Sequence, residues 1–162
     1  MCQWCARTAK IAAQVWGWTD LTPGPDICIC RAYGKRFWGG VQERHEFPAP
    51  PQPWLESFIE LTQPIGDTRW AYRVKLDLYS NGCGGGYPIG IQPYPDRDSA
   101  LLAAITEAHT WLSRQIPDDK DEEISDEDEL GGCTYTKNEK KLEEKLRAWL
   151  CSLTQPAQLT LL

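Results

Sequence analysis

The chain has no apolar run approaching the roughly eighteen residues that a membrane-spanning helix needs. Its opening, MCQWCARTAK, has no apolar stretch behind a basic start, which argues against a secretory leader. Basic residues are dispersed rather than gathered in a stripe, so no nucleic-acid groove is indicated. The two histidines, His45 and His109, are far apart in sequence and form no pair. No G-x-S-x-G or H-E-x-x-H pattern occurs. The glycine-rich NGCGGG at 81–86 lacks the lysine and Ser/Thr of a phosphate loop and does not open directly onto a helix. These absences leave no recognisable active site. They predict a soluble, cytoplasmic protein that is not an enzyme, with no membrane and no direct nucleic-acid contact.

What is present fits one domain or a domain with a small appendage, at 162 residues. Eight tryptophans can supply much of a modest core, since each aromatic buries roughly 150–250 Å². The net charge of −6 is a local property. The segment DDKDEEISDEDE at 118–129 holds nine acids against one lysine, so the rest of the chain is close to neutral. Such a block repels itself and reads as a solvated linker, or less simply as an acidic patch for a partner.

The composition divides the chain. Residues 1–40 are rich in Cys, Trp and Gly. Residues 41–53 lead into FPAPPQP, whose four prolines predict a stiff, extended connector. Residues 54–117 read as a compact α+β core, 118–136 as the acidic linker, 137–153 as a C-terminal helix and 154–162 as an extended tail. Within the core, LESFIELTQ (55–63) has strand composition. TRWAYRVKLDLYS (68–80) alternates, with Trp70, Tyr72, Val74, Leu76 and Leu78 on one face and Ala71, Arg73, Lys75, Asp77 and Tyr79 on the other. That period predicts a strand with one buried and one wet side. NGCGGG is expected as a flexible connection, and YPIGIQPYP (87–95) as a short edge strand.

From 96 to 116 the period changes. Leu101, Ala104, Ile105, Ala108, Trp111, Leu112 and Ile116 form a helical stripe, with Asp96, Asp98 or Ser99 as its cap and Pro117 at its end. A second stripe, Leu142, Leu146, Trp149, Leu150 and Leu153, marks the last helix, with Glu143 and Arg147 paired at i,i+4. Pro156 cannot continue it. The fold class is therefore α+β: a small antiparallel β-sheet with a packed helix, a Cys/Trp-rich N-terminal extension, an acidic linker and a C-terminal helix.

Seven cysteines, an odd number without a secretory leader, argue for thiols or metal ligands rather than a disulfide framework. Cys2 and Cys5 form a C-x-x-C pair, and Cys28 and Cys30 a tighter C-x-C pair. Zinc takes four thiolate or imidazole ligands in a tetrahedron, which two close pairs can provide. If PGPDICICRAYGK is extended, Cys28 and Cys30 share a side. The alternative is unpaired buried or surface cysteines, since free cysteine often packs as a small hydrophobe. A structural zinc is thus the one candidate cofactor.

The chain ends on QPAQLTLL. Gln158, Leu159, Thr160, Leu161 and Leu162 resemble the bacterial sliding-clamp-binding motif: glutamine, leucine, a small polar residue, then two large apolar residues, here with Leu where Phe is common. The resemblance implies that Gln158 fills a polar subsite, Leu159 adds a supporting contact, and Leu161 and Leu162 enter an apolar pocket. The alternative is a tail folded back onto its own domain. A looser resemblance, carried by YPDRDSALLAAITEAHTWL after a strand and a glycine-rich loop, is to small accessory domains of phage and plasmid proteins. Together these imply a phage, mobile-element or bacterial accessory protein. It would dock on the replication sliding clamp and act on DNA-processing or host-defence machinery. The alternative is a zinc-stabilised protein-interaction module with a self-packed tail.

Overall fold

The computed structural model describes residues 3–23, 27–48, 50–79, 82–84, 92–115 and 137–154. Cys2, the acidic linker, the first half of the 87–95 edge-strand candidate, and Gln158, Leu159, Leu161 and Leu162 lie outside the described residues. The fold is α+β, as the sequence predicts. In chain order the elements are α1 (Gln3–Ile11), a π-helical turn (Ala12–Trp16), α2 (Ile29–Trp38), β1 (Val41–Glu46), β2 (Phe58–Gln63), β3 (Ala71–Asp77), β4 (Gly82–Gly84), α3 (Arg97–Gln115) and α4 (Lys137–Thr154).

The four strands form an antiparallel meander in the order β1-β2-β3-β4. Register places Glu43, Leu61 and Tyr72 in one row and His45, Ile59 and Val74 in another. These rows face α3. Ile59, Leu61, Val74, Leu76 and Leu78 meet Ala104, Ile105, Ala108 and Leu112, and α4 adds Leu142, Leu146 and Leu150. This is the main core, and the described residues of the helical stripes read from the sequence line it, Ile116 lying outside the described residues. Asp96 is the cap of α3. Its carboxylate accepts from the Ser99 amide at 2.8 Å and from the Ser99 hydroxyl at 2.9 Å. Arg97 reaches from the same turn to Glu43 on β1, with one bond of 2.6 Å, and that contact holds the Glu43 carboxyl below its usual range.

The opposite face of the sheet is not the wet surface that the alternation in β3 suggests. Ala71 is fully buried beneath a second cluster of Ala12, Trp16, Trp18, Tyr33 and Phe37. The Arg73 guanidinium lies 4.7 Å from the Trp38 ring and 4.9 Å from Phe58, and pairs with the buried Glu60. Arginine reads as polar in a sequence, yet its flat head stacks on aromatic faces. Lys75 and Asp77, farther along, remain partly exposed, with Lys75 bonded to Glu56 at 2.9 Å. β2 is consequently covered on both sides, and Phe58 to Thr62 are all buried.

Two further expectations change. The connector predicted at 41–53 begins later, because Val41–Glu46 is β1, the sheet's edge. Its polar composition suits an edge strand, where charges discourage pairing with other chains. NGCGGG is not wholly a loop, since Gly82–Gly84 pairs with Lys75–Asp77 as β4. Tyr94, from the second half of the edge-strand candidate, makes an isolated bridge to Trp70. Between α2 and β1 the chain needs glycine: a Cβ on Gly40 would stand 1.8 Å from the Gln63 carbonyl oxygen.

Candidate metal centre

α1 has one buried face. Cys5, Thr8 and Ala12 are 2 %, 1 % and 0 % exposed, at helical spacing, while Trp4, Ala6 and Arg7 face outward. The helix widens into the π turn and closes at Gly17, whose φ of +69° is the left-handed conformation that glycine adopts without penalty. The turn delivers Trp16 and Trp18 side by side, ring centres 4.9 Å apart. α2 answers with Ile29, Tyr33 and Phe37 as its buried stripe. Phe37 meets Trp16 edge-on at 5.5 Å, and Tyr33 lies 5.5 Å from Trp18. Burial pushes the Tyr33 phenol up to about 12.

Polar clasps lock this layer to the β2–β3 turn. The Trp18 indole donates to Asp67 at 2.9 Å, and Arg69 donates to Asp67 at 2.7 Å and to the Trp16 carbonyl at 2.5 Å. The Arg69 contacts, followed by its backbone amide and Trp18, hold the Asp67 carboxyl well below the usual carboxylate range. Arg36 donates to the Ile65 carbonyl at 3.0 Å and lies over the Trp18 ring at 4.4 Å.

The packing of α1 against α2 brings three sulfurs together. Cys5, Cys28 and Cys30 present their Sγ atoms within 4.8 Å of one another, and Cys5 and Cys30 approach to 3.6 Å. Thr8 Oγ1 is 3.4 Å from Cys30 Sγ. None of the three cysteines is in a disulfide. Cys28 and Cys30 do not both lie on extended chain, the condition under which the C-x-C spacing would put them on one side. Cys28 is the N-cap of α2, with φ −73° and ψ 161°, and Cys30 lies in the first turn. The amides of Arg31 and Ala32 both donate to the Cys28 carbonyl at 3.0 Å.

The donor set fits zinc. With Zn–S distances of about 2.3 Å, a tetrahedron has edges of about 3.8 Å. The 3.6 Å approach is already close to that edge, and modest rotation of the exposed Cys28 side chain would complete the set. Among the described residues no other trio of His, Cys, Asp or Glu gathers this way. Cys2, the fourth residue of the predicted set, lies outside the described residues. Neither histidine joins the cluster. His45 contacts Glu43 at 2.8 Å on β1, and His109 on α3 has its pKa lowered by burial and then by Arg147.

Sequence reading thus named three residues that the fold unites, but missed how it unites them. The helical spacing of Cys5-Thr8-Ala12 and of Ile29-Tyr33-Phe37 is the one signal that could have found the two helices, and Thr8 with the first. No family model, curated protein or solved structure matches the chain.

Proposed function

We propose that this protein is a zinc-stabilised protein-interaction module without catalytic activity of its own. The observation that carries this reading is the convergence of Cys5, Cys28 and Cys30 where α1 packs against the start of α2. Cys2 is the proposed fourth ligand, as the first cysteine of the C-x-x-C pair that includes Cys5. When bound, zinc would tie α1 to the start of α2. Purified protein should carry stoichiometric zinc by elemental analysis, and Cys28→Ser or Cys30→Ser should lose it. Zinc-free protein with an intact N-terminal layer would sink the reading.

The partner at the other end is proposed from the sequence. Gln158, Leu159, Leu161 and Leu162 match the sliding-clamp-binding pattern class by class, beyond α4 and the helix-stopping Pro156. Burial of Leu161 and Leu162 in a pocket is worth roughly 3–6 kcal/mol before ordering costs. In this reading the module is a phage, mobile-element or bacterial accessory protein recruited to a bacterial sliding clamp. Clamp binding by the full chain should disappear when residues 158–162 are deleted. Equal binding by both forms, or none by either, rejects it.

A further inference from the structure

We propose that the Cys5–Cys30 pair makes the zinc centre a thiol switch, in which a hydroperoxide converts the pair to a disulfide and releases the metal while α1 and α2 stay tied. The proposal rests on the zinc reading above. Its basis is an asymmetry inside the cluster. Cys5 is buried at 2 % exposure, Cys30 is half-buried, and their sulfurs are 3.6 Å apart. Side-chain rotation closes such a gap to an S–S bond of about 2 Å. The Thr8 hydroxyl, 3.4 Å from Cys30 Sγ, is placed to donate to that sulfur as a thiolate. Cys30 also sits in the first turn of α2, on the side that meets Cys5 of α1.

The chemistry balances in two steps. The Cys30 thiolate attacks one oxygen of the hydroperoxide; the O–O bond breaks, a sulfenic acid forms, and hydroxide or alkoxide leaves. The Cys5 thiolate then attacks the Cys30 sulfur; the S–S bond forms, the S–O bond breaks, and hydroxide departs to become water. The two thiolates lose two electrons in total, and the peroxide gains them. Neutral disulfide sulfurs no longer hold zinc as thiolates do, so the ion leaves. The same two helices that the metal joined are then joined covalently. The aromatic cluster of Trp16, Trp18, Tyr33 and Phe37 has no reason to open.

The test uses the full chain loaded with zinc, exposed to hydrogen peroxide beside a metallochromic dye, then digested without reduction. Zinc release should track the loss of one pair of thiols per ion. The peptide map should link Cys5 to Cys30, and dithiothreitol with added zinc should reverse both. Zinc release with any other linkage, or with sulfinic products and no linkage, overturns the switch. The Cys28→Ser chain lacks a ligand yet keeps the pair, and should still form the link. A chain that takes up no zinc but links Cys5 to Cys30 refutes the metal reading separately from the pairing. Cys151→Ser, on the exposed face of α4, should leave zinc release unchanged.

Discussion

The two faces of the sheet are covered by different chemistry. Toward α3 and α4 the cover is mainly aliphatic, built from Leu, Ile, Val and Ala along two long helices, with Phe47 and Trp149 among them. Toward α1 and α2 it is aromatic, a few large rings held by arginine and carboxylate. An aliphatic layer gains stability from many small contacts distributed over its length. A layer of a few large rings depends on each ring and on the clasps around it. The difference teaches where the molecule needs help: the shorter helices carry the thiol cluster and are held by the Asp67–Arg69 clasp of the β2–β3 turn, and the longer helices have neither.

Chelation is the sharpest way to break this comparison. If the cluster holds zinc as proposed, removing it under reducing conditions should strip amide-exchange protection from α1 and α2 while α3 retains it, because binding free energy at a structural site is folding free energy. Uniform loss across both layers would show that they are one cooperative unit. Next come paired truncations. Trp16→Ala should cost about 3–5 kcal/mol and Leu146→Ala about 2–5 kcal/mol in denaturant unfolding. The first should act mainly on the N-terminal layer, and the second on α4. Reversed locations, read by hydrogen exchange, would contradict the division.

Acid offers a gentler probe. Asp67 has its folded pKa depressed, chiefly by Arg69, so its contribution is fully present above the ordinary carboxylate pKa. It is lost as pH falls below about 4 toward the folded value. The N-terminal layer should therefore loosen in that window, and Asp67→Asn should weaken the layer at neutral pH and flatten the acid response. The smallest effect belongs to the exposed Glu56, bonded to Lys75. Glu56→Gln should change stability by less than about 1 kcal/mol and spare both layers.

Much of the aliphatic side was legible in the sequence. The stripes at Leu101–Leu112 and Leu142–Leu150 have helical spacing over several turns, and β3 alternates cleanly, so burial follows from period alone. The aromatic side was not. Arg73 reads as solvent-facing because its stacking on Trp38 and Phe58 depends on residues distant in sequence. β1 reads as connector because VQERHE has no apolar period; its pairing comes from β2. The cysteines were visible as candidates, but their meeting required two helices and a π turn that the Cys-Trp-Gly composition conceals.

The meander has a consequence for how the chain is made. α1 and α2 emerge from the ribosome before any strand, yet the surface they lie on includes Ala71 and Asp67, which arrive later. Synthesis proceeds at about 5–20 residues per second. The first two helices therefore wait for several seconds with rings and thiols uncovered, while the local β1–β2–β3 pairing has still to form their floor. A metal ion captured by Cys5, Cys28 and Cys30 in that interval would set the two helices in register before their landing surface exists, turning the thiol cluster into a co-translational jig.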